Sequence, residues 1–276
     1  NTVDISVVQN RENGNDRDLI VDNTEVYPVT GSPIDIATGD FDADGKVDVA
    51  VLLNGTTGVD VFYNNGAGGF HDAVNFKAGG LQTNAGYLAF AVGAIDSDSG
   101  DDIVILAEDN QAAVMGKLER GGARDSTAIA LTPSSTSQLY TMIAIGSIEQ
   151  NGVNDIGFLA PKLLDPQSGS DISPEYVLLK NDGDAAFTEY YRETIGVDAT
   201  MFSLTDLSFD GYADVFIGGY FYKHSYDSAG YADGRIRIEA PVRPIAAEFV
   251  NVDTAAAQEL IIAEELQFRV LKPSCP

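Results

Sequence analysis

The chain reads as an all-β protein assembled from repeats of about 50 residues, and three observations carry that reading. One short acidic pattern recurs along the chain, the copies are spaced as four-stranded units would be, and no stretch shows a sustained helical period with caps. The pattern is clearest at Gly39 to Val51, GDFDADGKVDVAV. It returns without a gap at Gly93 to Ile105, GAIDSDSGDDIVI, and again, with fewer acidic positions, at Gly146 to Phe158, GSIEQNGVNDIGF, and Thr205 to Ile217, TDLSFDGYADVFI. Val250 to Ile262, VNVDTAAAQELII, is a weaker copy. Asn1 to Asn10, NTVDISVVQN, matches Gly45 to Asn54, GKVDVAVLLN, so the sequence is expected to open halfway through a further copy.

The acidic residue that closes each loop falls at Asp4, Asp48, Asp102, Asp155, Asp214 and Glu259, at intervals of 44, 54, 53, 59 and 45 residues. That period is too long for a helical hairpin and suits the four strands of a propeller blade. The strands fit in order. In one copy they run over Ile34 to Gly39, Val47 to Leu53, Val59 to Tyr63 and Phe70 to Phe76, separated by the acidic loop and by the turns Asn54-Gly55 and Asn64-Asn65-Gly66. A later copy repeats the end of this plan, with Tyr176 to Asn181, the turn Asp182-Gly183 and a strand from Phe187. The expectation is a single β-propeller domain over residues 1–276 with six recognisable blades. The first should lack its innermost strand and the last, ending near Leu271, its outermost; seven blades result if strands come from elsewhere. Radial repetition leaves only short edges, which limits pairing with other chains.

Composition narrows the function classes. Against 16 Lys+Arg stand 42 Asp+Glu, a formal charge of −26, which repels nucleic acid and anionic lipid and favours cations. Cysteine occurs once, as Cys275, so no disulfide forms within the chain. No apolar run is long enough to span a membrane, and none is expected to insert. With His71 and His224 as the only histidines, a multi-histidine zinc site is excluded. No G-x-S-x-G elbow or phosphate-binding loop appears. Asn54-Gly55-Thr56 is a sequon placed on a hairpin turn.

The acidic loops have the chemistry of a hard-cation site. Asp40, Asp42, Asp44 and Asp48 alternate around Gly45, which permits the sharp turn, and the carbonyl of Lys46 adds a main-chain oxygen. Ca²⁺ takes about six to eight oxygens at roughly 2.3 to 2.6 Å, and such a loop supplies most of them. An EF-hand is disfavoured, because strands flank the loop and the bidentate Glu at the twelfth position is missing. Asp206, Ser208, Asp210, the Tyr212 carbonyl and Asp214 repeat the set with a hydroxyl in place of one carboxylate. Asp96, Asp98 and Asp102 form a reduced set, with Ala94 at the first position and the glycine displaced. Ser147, Glu149, Asn151 and Asp155, and likewise Asn251, Asp253 and Glu259, read as loops kept for shape without an ion.

The recurring D-x-D-x-D-G-x-x-D between two strands, with the turn Asn-Asn-Gly-x-Gly-Gly-Phe at Asn64 to Phe70, resembles the FG-GAP or VCBS repeat of integrin-type β-propellers over nearly the whole chain. The resemblance implies Ca²⁺ bound where the innermost strand meets the next, stiffening the ring, and a secreted or cell-surface location. It says little of activity, since members include adhesion receptors, lectins, carbohydrate-active enzymes and toxin components.

One connection breaks the repeat. Gly219 to Gly234, GYFYKHSYDSAGYADG, concentrates aromatic residues where another copy has a brief turn. Tyr220, Tyr222, His224 and Tyr226 are therefore expected to contact a partner or ligand, the bland alternative being a loop folded over its own apolar faces. Lys162 to Pro174 reads as a polar, mobile surface loop. The functional expectation is a Ca²⁺-stabilised extracellular module that binds a protein or a glycan, alone or in a larger assembly through its blade edges. The alternative is a polysaccharide lyase-like enzyme using His224 and a tyrosine as acid and base, with Arg235 or Arg237 neutralising an acidic sugar.

Overall fold

A computed structural model describes residues 4–8, 24–55, 58–81, 85–118, 120, 125–149, 151–165, 168–183, 186–196, 199, 201–206, 210–218, 220–224, 231–237, 246–250, 259–264 and 267–271; beyond Tyr222 the description is of backbone. Among these residues every regular element is a strand. β1 (Asp4–Val8) pairs with β2 (Thr24–Pro28). A four-stranded sheet follows, β3 (Pro33–Gly39), β4 (Asp48–Leu53), β5 (Gly58–Phe62) and β6 (Val74–Phe76), with sequential neighbours antiparallel. The next holds β7 (Tyr87–Gly93), β8 (Asp102–Ala107), β9 (Gln111–Gly116) and β10 (Asp125–Ala130) in the same order. In the fourth, β11 (Met142–Gly146) and β12 (Asp155–Ala160) precede a small hairpin, β13 (Leu163–Leu164) with β14 (Asp171–Ile172), before β15 (Glu175–Asn181) and β16 (Phe187–Thr194) complete the sheet. The fifth is β17 (Phe202–Thr205), β18 (Asp214–Ile217), β19 (Tyr220–His224) and β20 (Tyr231–Arg237). Last come β21 (Ala246–Val250), β22 (Glu259–Glu264) and β23 (Gln267–Leu271), a three-stranded sheet.

The register reproduces the internal alignment of the sequence. The acid that closes each loop lies opposite the residue that opens it, as Gly39 with Asp48, Gly93 with Asp102, Gly146 with Asp155, Thr205 with Asp214 and Val250 with Glu259. The second strands DVAVLL, DIVILA, DIGFLA and DVFI are buried along their entire length. A strand covered on both faces needs a continuous apolar run instead of alternation, and those sequences supply one.

Four apolar clusters show what covers them. Ile5, Tyr27 and Val29 of the first sheet pack on Val49, Val51, Leu53 and Phe62 of the second. The opposite face of the second, Ala50, Leu52, Val59 and Val61, meets Phe90, Ile103, Ile105 and Met115 of the third. Val104, Leu106 and Val114 then meet Ile156, Phe158 and Val177 of the fourth, and Leu159, Tyr176 and Leu178 meet Val215, Ile217 and Tyr222 of the fifth. Five successive sheets are thus stacked face to face, with the first strands β3, β7, β11 and β17 side by side. Their approach is close. A Cβ on Gly39 would lie 2.8 Å from Val92 Cγ1, on Gly93 3.1 Å from Ile145 Cγ2, and on Gly146 2.8 Å from Leu204 Cβ.

Three expectations need correction. Among the described residues the first sheet holds two strands, and no outermost strand follows β2, because only residues 29–32 separate it from β3, too few to form a strand and return. Lys162 to Pro174 contains the β13–β14 hairpin, tied by an ion pair of 2.6 Å between Lys162 and Asp171. Gly219 to Gly234 is largely sheet: Tyr220 pairs with Arg237, Tyr222 with Arg235 and His224 with Tyr231. Tyr222 is only 2% exposed and sits 6.3 Å, ring to ring, from Tyr176, while Tyr220 is half-buried against the same cluster. Tyr222 is therefore a core residue and no ligand contact, because strand alternation turns its ring into the face that the fourth sheet covers. The side chain of His224 and all of Tyr226 lie outside the described residues, as do the side chains of Arg235 and Arg237.

Candidate metal centre

Each acidic loop joins the first strand of a sheet to the second, and in three of them the closing acid is locked by backbone donors. Asp48, Asp102, Asp155 and Asp214 are all at most 1% exposed. The acid accepts the N–H of the second loop residue in three copies, from Phe41 at 3.1 Å, Ile95 at 2.7 Å and Ile148 at 2.6 Å. Those three apolar side chains are buried and plug the base of the loop. In two copies its other oxygen receives a main-chain N–H from the end of the third strand or just past it, Asn64 to Asp48 at 2.7 Å and Asn181 to Asp155 at 2.7 Å. In the third sheet that second partner is missing. Oδ1 of Asp102 is buried with none, although Oδ2 holds both Ile95 and Asp96 N–H.

Two of the expected ligand sets are drawn together. One oxygen each from Asp40, Asp42 and Asp48 lie within 4.8 Å of one another, and so do oxygens of Asp96, Asp98 and Asp102. In the first set the loop is wound by the N–H groups of Asp44 and Gly45, which donate to the two oxygens of Asp40 at 3.0 and 2.9 Å. Gly45 takes a φ of 81° and Ala43 a φ of 58° to allow it. Oδ1 of Asp42 is buried without a partner. Asp44 faces elsewhere: its carboxylate accepts from the backbone and ammonium of Lys46, which hold it below the usual carboxylate range.

In the second set, Asp96 accepts from Asp98 N–H at 2.8 Å and Asp98 from Gly100 N–H at 2.9 Å. Gly116 stands where a Cβ would come within 2.7 Å of Asp96 Oδ2 and 2.8 Å of Asp102 Oδ1, so the carboxylates face a space kept open by a missing side chain. Burial, with the charges of Asp96 and Asp98 behind it, pushes the Asp102 carboxyl up to about 6. Burial likewise raises Asp48 and Asp96. A buried carboxylate oxygen without a donor is costly, and a cation among the three carboxylates of a set would turn their mutual repulsion into attraction and offset the cost of burial. The residues therefore fit a metal ion.

The other loops are placed as follows. Asp206 repeats the winding of Asp40, accepting from Asp210 and Gly211 N–H at 3.1 and 2.8 Å, and Tyr212 N–H donates to Asp210 at 3.1 Å. Asp214 is buried beneath it, and Ser208 lies outside the described residues. Asp206, Asp210 and Asp214 are not gathered as the other two sets are, among the described residues. In the Ser147 loop, all of the capacity of Asp155 that is orphaned at Asp102 is satisfied by protein, and Ser147 donates to the Glu149 carbonyl at 2.6 Å.

Sequence reasoning missed the links between loops. The residue before the closing acid reaches back to the first position of the preceding loop: Asp101 N–H to the Asp40 carbonyl at 2.8 Å, Asn154 Nδ2 to Ala94 at 2.9 Å, and Ala213 N–H to Ser147 at 2.7 Å. Asp101 also returns a bond, its carboxylate accepting Asp40 N–H at 2.8 Å. The signal was available as the constant spacing of these positions, but no residue type marks it.

At the opposite end of the fourth sheet lies a different buried acid. Glu175, 1% exposed, accepts from Tyr140 OH and from Arg192 Nη1, each at 2.6 Å, and Arg192 in turn holds Glu189 at 3.0 and 2.7 Å. Burial alone would raise Glu175, yet Ser134, Tyr140 and the Arg192 charge leave it lowered.

No family model matches the chain, and no curated protein matches it. Solved structures do. A crystal structure of BBS1N in complex with ARL6DN, soaked with lead, matches with a TM-score of 0.54 at 12% identity, over 90% of this chain and 70% of that one. The mercury-soaked crystal of that complex gives 0.54 and 12%, over 89% and 65%. A lectin of Agrocybe aegerita, described for its specific recognition of non-reducing terminal N-acetylglucosamine, gives 0.54 and 15%, over 87% of this chain and 63% of its own. The chain thus spans about two thirds of the length of the structures it matches, and at these identities the likeness is one of fold: all-β and propeller-like.

Proposed function

We propose that the chain is a Ca²⁺-stabilised binding module built as a β-propeller of FG-GAP type, acting outside the cell on a protein or glycan. The observation that carries the cation is the pair of adjacent acidic loops with buried, donorless oxygens on Asp42 and Asp102. Asp40, Asp42 and Asp48 with the Lys46 carbonyl would hold one ion, and Asp96, Asp98 and Asp102 another. Hard oxygen donors without nitrogen or sulfur select Ca²⁺ over the softer transition metals. Once bound, the ion supplies charge neutralisation at the loop, and its role is structural.

Propeller closure is supported by the face-to-face stacking, by the adjacency of the first strands and by the propeller-like neighbours. A binding role is supported by those neighbours, one solved with a protein partner and one described as recognising a sugar. The test is calorimetric titration of the chelator-treated protein with Ca²⁺ and Mg²⁺, followed by a glycan array. Ca²⁺ should bind in the micromolar to millimolar range and raise the melting temperature. Heat and melt unchanged by Ca²⁺ would remove the cation from the proposal, and a silent array would direct it to proteins.

A further inference from the structure

The residue that faces the closing acid from the third strand changes from sheet to sheet, and the state of the loop changes with it. One step beyond the pair Val49 with Phe62, Asp48 lies opposite Tyr63; one step beyond Ile103 with Met115, Asp102 lies opposite Gly116; one step beyond Ile156 with Leu179, Asp155 lies opposite Lys180. In the fifth sheet the same step beyond Val215 with Tyr222 brings the backbone of Lys223 opposite Asp214. Residues directly opposite on neighbouring strands share a face of the sheet. Among the described residues, the two loops whose acids are gathered are the two without a lysine at this position.

Lys180 shows what the position can supply. Its ammonium lies 3.8 Å from Glu149, the equivalent of Asp96, and 2.9 Å from Asp182. The bond to Asp182, with the charges of Glu149 and Asp155, holds it above the usual lysine value. The fourth loop is thus served by a cation that belongs to the chain. Tyr63 is uncharged, and its hydroxyl donates to the Leu118 carbonyl beyond β9.

Gly116 is the opposite case to Lys180. A Cβ there would lie 2.7 Å from Asp96 Oδ2 and 2.8 Å from Asp102 Oδ1, too close for a carbon and only slightly beyond the roughly 2.3 to 2.6 Å of a Ca²⁺–oxygen bond. The backbone does not require glycine, because Gly116 is a strand residue without a positive φ. Oδ1 of Asp102, buried and without a partner, is aimed at the same spot. Burial raises the Asp96 carboxyl, and the charge of the adjacent Lys117 opposes this too weakly to offset it.

We infer that the residue opposite the closing acid decides whether a loop takes a divalent ion from solution or is neutralised by the chain's own lysine, and that Gly116 forms the seat of the ion held by Asp96, Asp98 and Asp102. The inference rests on the cation proposed above and assigns the specificity of its second site to a residue that donates no ligand. With glycine, an ion fits against the end of β9 between the two carboxylates. With lysine, a tethered ammonium takes that role and nothing is exchanged with solution.

The test is calorimetric Ca²⁺ titration of the chelator-treated 276-residue chain beside its Gly116→Ala and Gly116→Lys variants, with melting curves of each in chelator and in Ca²⁺. The parent should take up two ions. Gly116→Ala removes no ligand, yet should lose one ion or bind it at least tenfold more weakly. Gly116→Lys should lose the same ion and melt in chelator above Gly116→Ala, because its ammonium replaces the ion that the side chain excludes. Either variant suffices for the ion count if the other does not fold. Two ions bound by a variant with the parent's affinities would show that Gly116 serves packing alone; that result, or a chelator melt of Gly116→Lys no higher than that of Gly116→Ala, would overturn the inference and leave the cation reading standing. A parent that binds no Ca²⁺ would remove the cation reading, and the inference with it.

Discussion

Replacing Asp102 by asparagine should change stability with opposite sign in the absence and presence of Ca²⁺. Without the ion, Asp102 at neutral pH is an ionised carboxylate with one oxygen bare, buried beside Asp96 and Asp98. Its rise from 3.8 to about 6 corresponds to about 3 kcal/mol held against the ionised form. Asparagine keeps the oxygen that accepts from Ile95 and Asp96 N–H, removes the charge and offers Asp96 an amide donor. In chelator at pH 7.5 the Asp102→Asn protein should therefore be more stable than the parent by about 1 to 3 kcal/mol, or a few degrees in melting temperature. Because the folded carboxyl binds a proton more tightly than the unfolded one, the parent should gain stability as pH falls from about 6 toward 3.8, and the variant should lack that part of the gain. Saturation with Ca²⁺ reverses the order. An ion at a hundred times its dissociation constant adds about 2.7 kcal/mol to a protein that binds it, which the parent receives and the variant largely forfeits. Paired melts at pH 7.5 and 5, each in chelator and in Ca²⁺, read all four values. If Asp102→Asn were destabilising in chelator by as much as in Ca²⁺, the carboxylate would not be a strained charge awaiting a cation, and the fit of the second site would fail.

Three further outcomes follow from the packing. Tyr222→Ala, which empties a side chain 2% exposed between two sheets, should destabilise by about 3 to 5 kcal/mol in urea unfolding, where a ligand-contact residue would leave the midpoint unchanged. Arg192→Ala strands the Glu175 carboxylate and should destabilise by about 3 to 5 kcal/mol. Since Glu175 is lowered in the fold, its contribution is fully present above the unfolded carboxyl value and is lost as pH falls from there through the lowered folded value, so parent and variant melts should converge in acid. Gly146→Val drives a Cβ to 2.8 Å from that of Leu204 and 3.0 Å from its carbonyl; a loss of about 1 to 3 kcal/mol is expected from overpacking, whereas valine at Gly152, with φ of 87° and open space around it, should act only through backbone strain.

The strands were legible because the repeat reports on itself. Asp48, Asp102, Asp155, Asp214 and Glu259 align in sequence and stand opposite the loop-opening residue in five sheets, so a pattern read from acids placed all five of these first–second strand pairs. The same acids were less transparent as ligands. Asp40 and Asp42 join Asp48, but Asp44, alike in sequence, is captured by Lys46 two residues on. Asp102, in the set with fewer expected ligands, has the greater need for a cation, because the main-chain donor that satisfies Asp48 and Asp155 does not reach it. Ligand counts cannot show this, since it depends on where the third strand ends. The aromatic run misled for a related reason. Tyr220, Phe221 and Tyr222 lie at the spacing of a strand, and a longer connection with tyrosines was weighed as a contact loop when period-two alternation already put one face of it against a neighbouring sheet.

The two acidic loops are not independent, and this bears on how the chain uses its charge. Asp40 and Asp101 exchange main-chain and carboxylate bonds between neighbouring sheets, so the first ligand residue of one loop is oriented by the residue next to Asp102 in the other. Each further loop is tied to the one before it by Asn154 or Ala213. Repulsion among carboxylates concentrated where first strands turn into second strands therefore acts on the seams between sheets as well as within each loop. A cation bound in one loop relieves repulsion there and fixes the backbone from which the next seam is built. Much of the −26 charge lies elsewhere on the chain, but the acids at these seams would make the stacking of the sheets responsive to a divalent ion held by either set. The apolar clusters alone, which bury neutral side chains, could not confer that dependence.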